Sequence, residues 1–129
     1  MAEKRIGRQV PTTSYILPYE KTLSDEAINL YELSGNDMFE WQRNVLNDIM
    51  SVNELGEWVH IQFGLSASRQ NGKNEILAPR ELWGLMHGER ILHTAHRVMT
   101  AHKAWERLMA LCEKAELPIK SSLKAKGTE

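Results

Sequence analysis

The chain has 129 residues, 42% hydrophobic and 26% charged, with sixteen Lys and Arg against seventeen Asp and Glu for a formal charge of −1. That composition suits one globular domain rather than a disordered chain, and a single cysteine, Cys112, excludes a disulfide framework and a four-cysteine zinc site. No apolar run approaches the roughly 20 residues that cross a bilayer, and the N-terminus lacks the apolar stretch of a signal peptide, so a cytoplasmic protein is expected.

The near-neutral total conceals a division. Residues 24–57 carry eight carboxylates against Arg43 alone, a charge of −7, between flanks of +2 and +4. Solvated helix faces are the ordinary reason for such a pattern, and a basic patch that meets phosphate is the sharper one.

Residues 1–23, with Pro11, Pro18 and the run Thr12-Thr13-Ser14, predict an extended arm. Thr22 and Ser24 offer N-caps, and Asp25 and Glu26 suit the first turn of a helix that ends at Ser34-Gly35. Asp37 is expected to open a second helix, with Glu40 as its capping-box partner. Met38, Trp41, Val45, Leu46 and Ile49 draw one apolar stripe along it, and Asn53 and Gly56 stop it. Gln42 lies off that stripe.

Trp58 to Leu65 alternates and is rich in β-formers, which predicts a strand. A polar turn follows from Ser66 to Lys73. Ile76, Leu77, Leu82, Leu85 and Met86 then predict a helix, kinked at Pro79 and ended by His87-Gly88. Arg90 to Ala95 is a second strand candidate. The last helix is expected from about Met99, with Ala101, Trp105, Leu108, Cys112 and Ala115 on its stripe and Pro118 as its stop. Residues 119–129 are expected to be a disordered tail. A strand–helix–strand order implies an α/β fold with a parallel pair, although two strands are fewer than the about four to six of an ordinary sheet.

The loop after the first expected strand carries the chemistry. The phosphate-loop pattern is Gly, four residues, Gly, Lys, then Ser or Thr. In Ala67-Ser68-Arg69-Gln70-Asn71-Gly72-Lys73-Asn74, Gly72 and Lys73 match. Ala67 replaces the first glycine, and Asn74 replaces the metal-binding hydroxyl. In a strand–loop–helix setting, backbone N–H groups from Ser68 to Gly72 would turn toward an anion and the helix N-terminus would favour negative charge. Lys73 would reach the outer phosphates, and Arg69 would add a second cation. The plainer reading is a tight turn before a capped helix. Asn71-Gly72 is also a common hairpin turn, but a hairpin needs a strand next, and the pattern there is helical.

With these residues in view, the chain resembles the beginning of a tailed-phage terminase large subunit, the ATP-driven motor that packages viral DNA. Ser68-Arg69-Gln70-Asn71-Gly72-Lys73-Asn74-Glu75 is similar to that family's deviant phosphate loop, in which Asn after the lysine occurs in one branch. Trp41-Gln42 is similar to its adenine-recognition glutamine. Ile91 to His96, with Thr100-Ala101, resembles its next motif, and Gly7 to Thr12 also fits. Together these span roughly residues 7–112.

The resemblance implies a partial P-loop NTPase fold over residues 24–118, ordered strand–P-loop–helix–strand–helix after two helices and the arm. It implies that ATP is held by Gln42, Ser68, Arg69, Gln70, Asn71, Gly72, Lys73 and Asn74, with Lys73 and Arg69 supplying the catalytic charge. It implies Mg²⁺, double-stranded viral DNA, a portal and a small terminase subunit as further partners, in the host cytoplasm. The rival expectations are a fragment of another P-loop ATPase or helicase, and a non-enzymatic interaction module.

Hydrolysis also needs a Mg²⁺-binding carboxylate and a group that orients water. The family carries these as an apolar run ending in Asp-Glu, and no such run follows residue 94. Glu106, Glu113 and Glu116 fall on an expected helix. The family's acidic nuclease cluster is missing too, so a truncated or interrupted motor without turnover of its own is expected. His93, His96, His102 and Cys112 match no compact zinc spacing, and no metal site is expected.

Overall fold

A computed structural model describes residues 7–67 and 72–116. In chain order its elements are β1 (Lys21–Thr22), α1 (Ser24–Leu33), α2 (Glu40–Ile49), β2 (Ser51–Val52), α3 (Asn74–Met86) and α4 (Val98–Lys114). None of these helices is long and apolar enough to cross a membrane.

The core forms where the amphipathic faces of the helices meet. Ala27, Ile28 and Tyr31 come from α1, Leu46 from α2, Ile76, Ala78, Leu82 and Trp83 from α3, and Leu108, Leu111 and Cys112 from α4. Met38 and Met50 close it from just outside α2. Helix α3 is the central element and packs on the other three. It runs through Pro79, which is buried and has no N–H to return to the Glu75 carbonyl. Its stripe differs from expectation, since Leu77 and Met86 are exposed while Ala78 and Trp83 are buried. At its end Gly88 takes φ +76, and its N–H reaches Leu85 O while Glu89 N–H reaches Gly84 O. That pair of bonds is a Schellman stop, which a left-handed glycine permits.

The arm is tied down more than its composition suggests. Lys21 and Thr22 pair antiparallel with Val52 and Ser51, and Leu23 N–H donates to Met50 O. The Tyr19 hydroxyl donates to Asp48 at 2.7 Å. Burial and the Asp48 carboxylate together push the Tyr19 phenol up to about 12.

Three local expectations need correction. Helix α2 starts at Glu40 rather than Asp37, because Phe39 is extended at φ −68° and ψ 155°. Its capping side chain is Gln42, not Glu40: the Gln42 Oε1 accepts the Phe39 N–H at 2.8 Å. Among the described residues, the segments 58–65 and 90–95 form no ladder beyond one bridge between Trp58 and Val52. Alternating β-formers make a strand only when another strand lies alongside, and β2 is two residues long. Packing places Trp58 instead. Its ring meets Trp83 edge-on at 5.4 Å, and the Arg80 guanidinium lies 4.9 Å over its centre.

Candidate functional site

Ser68, Arg69, Gln70 and Asn71 lie outside the described residues, so the site is visible from its helix side. Gly72 takes φ +83, a left-handed conformation that a Cβ would strain. Lys73 is already helical at φ −57° and ψ −41°, and α3 follows at once with Asn74 exposed. Helical bonding begins with Glu75 N–H to Gly72 O at 3.2 Å and Ile76 N–H to Lys73 O at 3.1 Å. The amides ahead of them belong to the helix start, where N–H groups have no carbonyl within the helix. Lys73 is half-buried beside them.

Gln42 sits directly behind this start and is only 3% exposed. Its Nε2 donates to Gly72 O at 3.0 Å while its Oε1 accepts from Phe39 N–H. The two partners fix the amide orientation, since a carbonyl needs a donor and an N–H needs an acceptor. Gln42, singled out in the sequence for its similarity to an adenine-recognition glutamine, is thus buried with each end of its amide bonded to backbone. A neighbouring amide of α2, Trp41 N–H, is taken by Gln9 Oε1 at 3.0 Å. One glutamine of the arm and one of the helix thus satisfy two early donors of α2.

A second network backs the loop. Glu75, in the first turn of α3, accepts from the Tyr31 hydroxyl of α1 and from Arg107 of α4 at 3.2 Å. Arg107 also reaches Asn36 Oδ1 at 3.4 Å. Burial alone would raise the Glu75 carboxyl, but the Tyr31 and Arg107 bonds outweigh it and hold the group below its ordinary value of 4.5. The Glu75 bond and charge raise the Arg107 guanidinium in turn. Burial, then the Glu75 carboxylate, push the Tyr31 phenol up to about 12.

Arg107→Ala is expected to lower stability at pH 7 by about 1 kcal/mol, since solvent screens a pair whose side chains keep 40% and 34% exposure. A depressed carboxyl stabilises above its unfolded value and loses that contribution as pH falls through its folded value. The acid limb below about pH 4.5 should therefore be shallower in the variant than in the wild type. Equal acid limbs in parallel urea titrations would mean that the ion pair does not stabilise the fold.

His93 Nδ1 bonds Glu81 of α3 at 2.6 Å, so its ring turns to the helix rather than to a ligand. His102 pairs with Glu106 one turn along α4 at 2.5 Å. His96 is exposed. Among the described residues no group of three His, Cys, Asp or Glu is arranged to hold a metal ion. Cys112 is buried, and burial pushes its thiol up, which keeps it unreactive.

Tyr31 and Arg107 went unnoticed in the sequence, and Glu75 and Gln9 appeared there only as members of longer segments with no role of their own. Glu75 had a partial signal as an acidic residue in a helix first turn, but its partners lie 44 and 32 positions away. No local pattern joins residues that far apart. No protein-family model, curated protein or solved structure matches this chain.

Proposed function

We infer that the chain is the nucleotide-gripping part of a P-loop ATPase of the terminase large-subunit kind. The observation that carries this reading is the pairing of Gly72 at φ +83 with Lys73 at the head of a 13-residue helix. A left-handed glycine and a lysine at a helix N-terminus are what an anion-cradling loop needs at its downstream end.

The donor set fits the phosphates of ATP. Backbone amides at the start of α3 and the Lys73 ammonium would take the negative charge, joined on the loop's other side by Ser68, Arg69, Gln70 and Asn71. Among the described residues it does not fit Mg²⁺. Asn74 stands where a hydroxyl is wanted, and Glu75, the adjoining carboxylate, is committed to Tyr31 and Arg107.

In a complete motor of this kind, nucleotide held at this loop would be coupled to moving duplex DNA through a portal, with a small terminase subunit as partner, in the host cytoplasm. The 129-residue chain is expected to bind ATP without turning it over. Lys73→Ala should weaken ATP binding by about tenfold or more, as expected for removing a charge-assisted contact to phosphate. Isothermal titration of both proteins against ATP, with a phosphate-release assay alongside, makes the check. Release above background that disappears in Lys73→Ala would overturn the prediction of no turnover.

A non-enzymatic interaction module is the second reading. It is favoured by Ile61 at 96% and Leu92 at 88% exposure on the two ladder-free segments. A folded chain that ignores ATP at millimolar concentration would select it.

A further inference from the structure

The geometry points to Gln42 as a positioning residue that holds the downstream end of the loop, rather than as a reader of the base. Its amide bridges two backbone groups 33 residues apart, Phe39 N–H at the start of α2 and Gly72 O at the start of α3. Gly72 O therefore has two donors, Gln42 Nε2 from outside the helix and Glu75 N–H from within it. A carbonyl with both lone pairs engaged has a fixed direction, and that direction sets the peptide plane between Gly72 and Lys73.

The surroundings leave little freedom. Gln42 is buried, so an adenine edge could reach its amide only if the side chain left this position between the two backbone groups. A Cβ built on Gly72 would lie 2.7 Å from Gln42 Nε2. A side chain there would have to push the glutamine tip aside, besides meeting the strain of the positive φ. Helix α2 thus delivers a donor to the loop, and Gln9 helps to cap the same end of α2 from the arm.

The ligand side of this inference rests on the phosphate-loop reading above, while the geometric side stands without it. Gln42→Glu separates the roles. A carboxylate can still accept the Phe39 N–H but can no longer donate to Gly72 O. Without any ligand, amide exchange at Glu75 and Ile76 is expected to quicken by about five- to tenfold, the value of one hydrogen bond, while α1 and α4 amides keep their protection. With ligand, the variant should bind sodium tripolyphosphate, ATP and GTP more weakly by similar factors.

A loss confined to ATP, with tripolyphosphate binding intact, would make Gln42 a base reader and overturn the inference. Unchanged exchange at Glu75 and Ile76 would overturn it too. If the variant does not fold, the wild type decides by nuclear magnetic resonance. Tripolyphosphate, which has no base, should move the Gln42 side-chain amide signals, and adenosine should not. The reverse pattern would sink the inference. If neither wild type nor variant binds any phosphate while the exchange difference persists, the nucleotide reading fails and the positioning role stands.

Discussion

Leu82→Ala is expected to destabilise the chain by about 2–5 kcal/mol. Leu82 is fully buried on α3, the helix against which α1, α2 and α4 all pack, and it belongs to the continuous core that includes Leu46, Ile76 and Leu111. Truncation there removes transfer energy and leaves a cavity among elements held from several sides, which limits collapse. Against a typical total of about 5–15 kcal/mol, the loss is a large fraction of what holds the fold together. Leu77→Ala on the same helix is the control, because Leu77 is exposed and should cost under about 1 kcal/mol. Urea titrations should show a lower midpoint for Leu82→Ala with an unchanged slope. Equal midpoints for the two variants would mean that α3 does not present this face to the core.

Between about pH 10 and 12 the wild type is expected to lose about 2–3 kcal/mol through Tyr31. The phenol's ordinary value is 10, and burial with the Glu75 carboxylate raises it to about 12 in the fold. The folded chain therefore favours the neutral phenol. That preference contributes fully below pH 10 and disappears as pH rises through about 12. Tyr19 acts in the same direction and window at the arm. Tyr31→Phe removes the ionisable hydroxyl, so it should flatten this limb. It should also cost about 1 kcal/mol at pH 7 for the hydrogen bond lost to Glu75. Denaturant midpoints from pH 8 to 12, with tyrosinate absorbance recorded alongside, make the comparison. An identical alkaline limb in Tyr31→Phe would exclude Tyr31 as its source.

Helix existence was legible in the amino-acid order because the apolar period is local. Ser24 with Asp25 and Glu26 placed α1, and Leu108 with Cys112 placed the buried side of α4. The left-handed turns at Gly35, Gly72 and Gly88 were equally open to reading, since few other residues tolerate that backbone. So was the pairing of Gly72 with Lys73 at the mouth of α3, on which the proposed function rests. The start of α2 was misplaced by three residues, because Asp37 and Glu40 imitate a capping box and nothing local reveals that Gln42 takes the Phe39 amide.

The strands were another matter. Residues 58–65 and 90–95 have the composition of strands, yet composition does not supply a hydrogen-bonding neighbour, and among the described residues only Val52 bridges to either of them. Sequence alone determined the helices, their turn residues and the charged end of the loop, all of which depend on contacts within a few positions. Tertiary structure decided the rest: that Gln42 is buried against Gly72, that Glu75 is gripped by Tyr31 and Arg107, and that Trp58 rides on α3. Each of those joins groups more than twenty positions apart, and only chain folding brings such groups within bonding distance.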